Sequence, residues 1–253
     1  MDRLIYTALS GLTARQRGQA VTANNLANAE TTGFKREIIA AEGRWLRGDL
    51  ALGAGSIARA QAGAPSLATS ASHGKLLPTG RPLDIAAAGE AWFAILGPVV
   101  GGTATEAYTR RGDLHISPTG RLENGEGRPM LDIGGQPIQV PPNGTLEIAA
   151  DGTLSMLTDG ITAPLTRLKL VAGGSKETGF DKGPDGQFTS RDPLPADPAA
   201  RLVTGTLETA NVQTSAALVE LVEQSRAFDA SARLLRTARE IDEAGSRLIR
   251  MES

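Results

Sequence analysis

The residue types that most often perform chemistry at a protein site are scarce in this chain. His73 and His115 are the only histidines and there is no cysteine, so neither a Cys/His nucleophile pair nor a thiolate metal site can be assembled. His115 falls in the strand-like run Asp113-Leu-His-Ile116 and reads as a packing or surface residue. Gly74-Lys75 has the look of the end of a phosphate loop, but the glycine five residues earlier is missing and Leu76 stands where Ser or Thr should follow. Asp181 to Asp192 has the outline of a calcium loop, with Asp181, Asp185, Gly186 and Asp192 at the expected places. Gly183 supplies no ligand there, Pro184 restricts the backbone and Asp192 is shorter than the usual bidentate Glu, so a turn followed by a strand is the better reading. Asn143-Gly144-Thr145 matches a glycosylation acceptor formally and reads more simply as a hairpin turn. Scattered acids leave a carboxylate pair for glycoside hydrolysis open, though nothing singles one out. No catalytic, cofactor-binding or metal-binding residue is nominated.

The elements that would position a site are clearer. Asp2 to Ala27 carries Ile5, Leu9, Leu12, Gln16, Gln19, Ala23 and Leu26 in a 4-3 alternation, which predicts a helix with one narrow stripe. Gly11 and Gly18 lie inside it, so the helix needs partners to hold it. It should stop near Asn28, with Gly33 free to take a positive φ. Residues 47–72 are rich in Ala, Gly and Ser and read as an extended linker or ribbon.

From Leu83 to Leu170 short apolar runs alternate with turns: 91–96, 113–116, 120–122, 137–140, 145–148, 153–157 and 167–171. Asn124-Gly125, Asn143-Gly144, Asp151-Gly152 and Asp159-Gly160 suit tight hairpins. The expected fold is mainly β with α: a central antiparallel β domain, sandwich or barrel-like, plus N- and C-terminal helices that pair as a coiled-coil-like bundle. Asp192-Pro-Leu-Pro-Ala-Asp-Pro198 breaks all periodicity. Val212 to Met251 then has no glycine or proline until Gly245, and places Leu218, Leu221, Ser225, Phe228, Ala232 and Leu235 on one seam. Two seam-bearing helices at opposite termini are best explained by packing together and against neighbours.

Composition narrows the partners. The chain has 253 residues, 40% of them hydrophobic, and a formal charge of −2 with no long basic run. That argues against nucleic acid and against an anionic membrane. No stretch approaches the roughly 20 apolar residues of a membrane span, and Asp2, Arg3, Thr7 and Ser10 break any signal-peptide plan. Composition alone would suggest the cytoplasm.

Asn24-Asn-Leu-Ala-Asn-Ala-Glu-Thr-Thr-Gly-Phe-Lys-Arg36 resembles the N-terminal signature of the flagellar rod and hook family. Gly205-Thr-Leu-Glu-Thr-Ala-Asn-Val212, Leu221-Val-Glu-Gln-Ser-Arg-Ala-Phe-Asp229 and Asp242-Glu243 resemble that family's C-terminal helix and its lead-in. Arg81-Pro-Leu-Asp-Ile-Ala86, Tyr108-Thr-Arg-Arg-Gly112 and Gly120-Arg-Leu122 resemble its central β region. Met1-Asp-Arg-Leu-Ile-Tyr-Thr-Ala8 and Asp185-Gly-Gln-Phe188 look most like a proximal-rod subunit, with distal-rod and hook proteins the near alternatives.

The resemblance implies a structural subunit, exported unfolded through the flagellar type III channel without a cleavable signal peptide. It would be added to a rod that spans the periplasm, its partners being further copies, other rod subunits and the export apparatus. The implied division is 1–34 for the N-terminal rod helix and motif, 35–72 for the linker or ribbon, 73–204 for the central β domain and 205–253 for the C-terminal rod helix. Ile5, Leu9, Leu12 and Leu26 are expected to pack with Leu218, Leu221, Val222, Phe228 and Leu235 in the assembled rod, and Phe34 to pin the chain where the helix ends. A soluble two-helix adaptor carrying a β domain and a periplasmic cell-wall hydrolase are the readings from other classes.

Overall fold

In the computed structural model the described residues are 2–40, 43–47, 58–62, 66–100, 103–173, 180–183 and 185–251. They fall into two units: Met1–Ala29 with Arg36–Ser70 and Val212–Ser253, and Glu30–Lys35 with Ala71–Asn211.

The first unit is built on two helices, α1 (Asp2–Ala27) and α2 (Thr214–Met251). Helix α1 ends where the Asn28 amide, backbone and side chain both, turns back to the Asn24 carbonyl, satisfying a terminal acceptor. At ~1.5 Å per residue, the 38 residues of α2 extend about 57 Å. The helices pack against each other, and the Gln224 side chain donates to the Thr22 hydroxyl at 3.1 Å. Four strands complete the unit: β1 (Glu37–Ala40), β2 (Gly43–Arg47), β3 (Ala58–Ala62) and β4 (Ser66–Thr69). They form two antiparallel pairs, β1 with β4 and β2 with β3, so the linker-or-ribbon stretch carries paired strands.

The second unit holds fourteen short strands among the described residues. They are β5 (Leu76–Pro78), β6 (Ile85–Ala87), β7 (Ala91–Val100), β8 (Thr103–Thr109), β9 (Leu114–Ile116), β10 (Leu122–Asn124) and β11 (Thr145–Ile148). Then follow β12 (Thr153–Thr158), β13 (Ile161–Arg167), β14 (Leu170–Ala172), β15 (Asp181–Lys182), β16 (Phe188–Thr189), β17 (Leu202–Thr204) and β18 (Thr206–Glu208). The largest sheet runs β14-β7-β8-β16-β15 and a smaller one β11-β12-β13, all antiparallel. The five-stranded sheet ends at β14 and β15 without returning on itself, so no barrel closes and the barrel-like half of the sequence expectation is corrected.

Strand β7 explains where the core sits. Phe93 and Ile95 belong to one buried cluster with Leu122, Leu154 and Leu168, whereas the alternating Trp92 and Ala94 belong to a second with Tyr108 and Phe188. Because successive side chains point to opposite faces, a strand buried on both sides must be apolar throughout, as Ala91 to Leu96 is.

Turn chemistry sets the hairpins. Asp159 (φ 51) and Gly160 (φ 80) are both left-handed between β12 and β13, the type I′ arrangement that their residue types favour. Asn143-Gly144 departs from expectation: it leads into β11, whose hairpin partner β12 follows through 149–152, so it joins no strand pair. Runs 120–122 and 137–140 contribute isolated bridges, such as Arg121 to Gln139, more than full strands. In the calcium-like segment β15 and β16 pair antiparallel, Asp181 with Thr189 and Lys182 with Phe188, and no group of three or more metal-ligating side chains occurs among the described residues.

Candidate functional site

The terminal motifs meet inside the β unit. Gly33 N–H donates to the Glu208 carbonyl at 2.7 Å, and Asn211 N–H to the Phe34 carbonyl at 3.2 Å. The two segments therefore run side by side, held by main-chain bonds. Gly33 is left-handed (φ +68), and a Cβ there would collide with the Arg110 carbonyl group and the Arg111 nitrogen, so this approach requires glycine. Strand β18 pairs with β5 beyond it, and Thr209 N–H donates to the Lys75 carbonyl at 2.9 Å. Gly74 lies against the Thr209 carbonyl with no room for a side chain.

At the centre of this joint three charged side chains are buried together. Lys35 Nζ lies 2.9 Å from Glu208 Oε1, and Arg110 Nε donates to Glu208 Oε2 at 2.7 Å. Side-chain exposure is 3% for Lys35, 2% for Arg110 and 1% for Glu208. Charges so deep persist only when they are paired and hydrogen-bonded, and here both carboxylate oxygens and the guanidinium are engaged. Arg110 also donates to the carbonyls of Gly89 (2.6 Å), Ala91 (2.5 Å) and Ala87 (3.0 Å). Lys35 Nζ donates to the Ser72 carbonyl and Gly74 N–H to Glu208 Oε1, both at 2.9 Å.

Burial pushes the Glu208 carboxyl up, but the charges of Arg110 and Lys35 more than reverse this and hold it below the ordinary carboxylate range. For Lys35 burial is the largest influence and lowers the ammonium, with Glu208 restoring only part. Two cations beside one carboxylate account for the Glu208 direction, and burial for that of Lys35.

Around this centre, Lys182 Nζ sits 4.0 Å over the Phe34 ring and donates to the Lys35 carbonyl at 2.9 Å, so Phe34, which is buried, is capped by a cation. His73 bridges the rim, with Nδ1 3.3 Å from Arg110 Nη2 and Nε2 3.2 Å from Glu90. His115 is exposed, as a surface reading requires.

The helix residues nominated from sequence are covered to different extents. On α1 Thr22 and Asn25 are buried, and Gly11, Ala14, Gly18, Gln19 and Val21 are half-buried beside them. Leu12 and Leu26 are half-buried, while Leu9 is 51% exposed. For Ile5 only the helical backbone is described. On α2 the inward stripe runs Ala217, Leu221, Gln224, Phe228, Ser231 and Leu235. Leu221, Phe228 and Leu235 thus lie on it, whereas Leu218 and Val222 are 48% and 50% exposed.

Three family models match this chain. Residues 5–35 match the one described as Flagella basal body rod protein, 86–156 the Flagellar hook protein FlgE/F/G D1 domain, and 203–248 the Flagellar basal body rod FlgEFG protein C-terminal. The chain is 35% identical over 243 residues to the flagellar basal-body rod protein FlgF of Escherichia coli K12, covering 90% of this chain and 91% of that one. The chain belongs to the flagellar basal-body rod protein family.

The FlgF of Salmonella typhimurium is 34% identical over 99% of this chain and all of its own length, and the FlgG of Bacillus subtilis 29% identical over 95% and 97%. The rod protein is a structural subunit of the flagellar basal body, most like FlgF, and not an enzyme. Each matched segment of the rod protein brings one member of the buried triad: Lys35 from the first, Arg110 from the second and Glu208 from the third. Sequence reasoning quoted all three inside motifs without singling them out. The available signal was thin: Glu208 is the one charge in its motif, whereas Lys35 stands beside Arg36 and Arg110 beside Arg111.

Proposed function

We propose that this rod protein polymerises through its two terminal helices into a shaft that crosses the periplasm, after export through the flagellar type III channel. The division read from sequence serves this role: 1–34 and 205–253 as assembly elements, 35–72 as a ribbon and 73–204 as a sandwich-like body. No described helix is long and apolar enough to cross a membrane.

The observation that carries the reading is the exposure of large apolar residues on an otherwise paired helical unit, Leu9 on α1 with Leu218 and Val222 on α2. An apolar face left in water is favourable only when a neighbour covers it. A head-to-tail contact that does not close on itself generates a helical filament. In the assembled rod Ile5, Leu9, Leu12 and Leu26 would pack with Leu218, Leu221, Val222, Phe228 and Leu235, of the same or neighbouring subunits, in a coiled-coil-like seam, with Phe34 as the pin at its end. Neighbours are further copies and other rod subunits.

Deletion of the gene in its source bacterium tests the reading, with motility and isolated basal bodies scored by electron microscopy. Loss of the rod is expected, rescued by the full chain and not by chains lacking 1–34 or 212–253. Intact flagella in the deletion strain would refute it.

A further inference from the structure

The triad is not symmetric among its members, and the asymmetry sets an order. Arg110 is fixed by three carbonyls, those of Ala87, Gly89 and Ala91, none of which belongs to either terminal motif. Those carbonyls hold the guanidinium independently of the motifs, and Glu208 compensates its charge. Glu208 with Arg110 and the Gly74 N–H is a complete, neutral arrangement. Lys35 has no such independence. Its Nζ is shared between Glu208 and the Ser72 carbonyl, and outside their own segment the main-chain partners of Gly33 and Phe34 are Glu208 and Asn211. With the C-terminal segment absent, the Lys35 ammonium would instead face the buried Arg110 guanidinium, like charges in a medium that screens them poorly. Lys182, bonded to the Lys35 carbonyl, and the Ser72 carbonyl, which accepts from Lys35 Nζ, are the anchors that owe nothing to the C-terminal motif.

We infer that the joint docks in a fixed order: the segment around Glu208 seats first, and only then does the segment around Lys35 lock onto it. Glu208 converts a site that repels Lys35 into one that binds it. The consequence for assembly rests on the rod-subunit reading. A chain delivered N-terminus first keeps its N-terminal motif undocked until its C-terminal motif arrives, so a subunit lacking that end never joins the two rod helices at one point.

Hydrogen-exchange mass spectrometry on the full chain tests the order, comparing wild type, Lys35→Met, Glu208→Gln and the double variant. Glu208→Gln should speed exchange about 100-fold in both 30–36 and 205–211, because it strands two buried cations. Lys35→Met should speed exchange in 30–36 and leave the β18–β5 amides within about threefold of wild type. The double variant should exchange no faster in 205–211 than Glu208→Gln alone, since it removes one of the stranded cations. The inference is overturned if Lys35→Met opens β18 as widely as Glu208→Gln, or if 30–36 stays protected in Glu208→Gln. Should Glu208→Gln not fold, Glu208→Asp, which shortens the carboxylate and keeps its charge, is read against the same two criteria. Exchange reports the order without any rod, so its failure is separable from failure of the deletion experiment.

Discussion

Asn25 grips the main chain of Glu37 with both ends of its amide: Nδ2 donates to the Glu37 carbonyl and Oδ1 accepts the Glu37 N–H, each at 2.8 Å. A buried side chain thereby imitates a neighbouring strand and fixes helix α1 to the start of β1. Asn25→Asp keeps the acceptor and loses the donor, leaving two acceptors opposed. The expected loss is about 1–3 kcal/mol of stability, read by urea unfolding followed through helical circular dichroism; a change below about 0.5 kcal/mol would show that the grip contributes little.

Acid should loosen the joint. The Glu208 carboxyl is held below its ordinary 4.5 in the folded chain, so the unfolded state takes up the proton more readily. Its stabilising contribution is fully present above the unfolded value and fades as pH falls through the folded one. Thermal midpoints measured from about pH 7 down to about pH 3 should therefore fall less steeply in Glu208→Gln than in wild type. The lowered Lys35 ammonium acts at the other end, where stability rises as pH climbs from the folded value toward the ordinary 10.5.

Gly33→Ala and Gly127→Ala separate two effects of glycine. Both positions are left-handed, at φ +68 and +75, but a Cβ at Gly127 meets open space while one at Gly33 strikes the Arg110 carbonyl group. Gly127→Ala should lose only the conformational strain, ~1 kcal/mol. Gly33→Ala should lose several times that, with faster proteolysis of the terminal segments. Equal losses would remove close approach as the reason for glycine at position 33.

Leu218→Ser combined with Val222→Ser changes two half-exposed side chains. Subunit stability should shift by less than ~1 kcal/mol, while complemented cells fail to swim. Leu221→Asp or Phe228→Asp, on the inward stripe, should block motility and also destabilise the helix pair by burying an unpaired charge, with the β unit still folded by circular dichroism. Normal swimming in any of these strains would exclude that residue from the assembly surface.

How legible the molecule was in its sequence varied with the physics involved. Both helices, the stop after Ala27 and the Asp159-Gly160 hairpin were readable because periodicity and turn chemistry are local. Strand β8 was missed because Thr103-Ala-Thr-Glu-Ala-Tyr-Thr109 lacks the large apolar residues that mark a run, although Ala107 and Tyr108 are fully buried. Strand β13 hid behind Pro164, which an edge strand tolerates. On α2 periodicity reached Leu221, Phe228 and Leu235, which lie on the inward stripe, whereas the buried side chains of α1 are the polar Thr22 and Asn25, which an apolar repeat does not mark. The triad was the hardest to foresee. A charged residue in a motif looks the same on the surface as in the core, and only the meeting of three distant segments tells them apart.

Trp92 lies edge-on to Phe180 and Phe188, with ring centroids 5.1 and 4.6 Å away, and the Arg110 guanidinium carbon stands 5.8 Å from its centroid. The chain has two tryptophans, Trp45 and Trp92, so with Trp45 replaced by phenylalanine every indole photon would come from beside the triad. The emission colour of that single ring would follow the cation above it, giving a spectroscopic window on the joint in the living order of events, with no label attached.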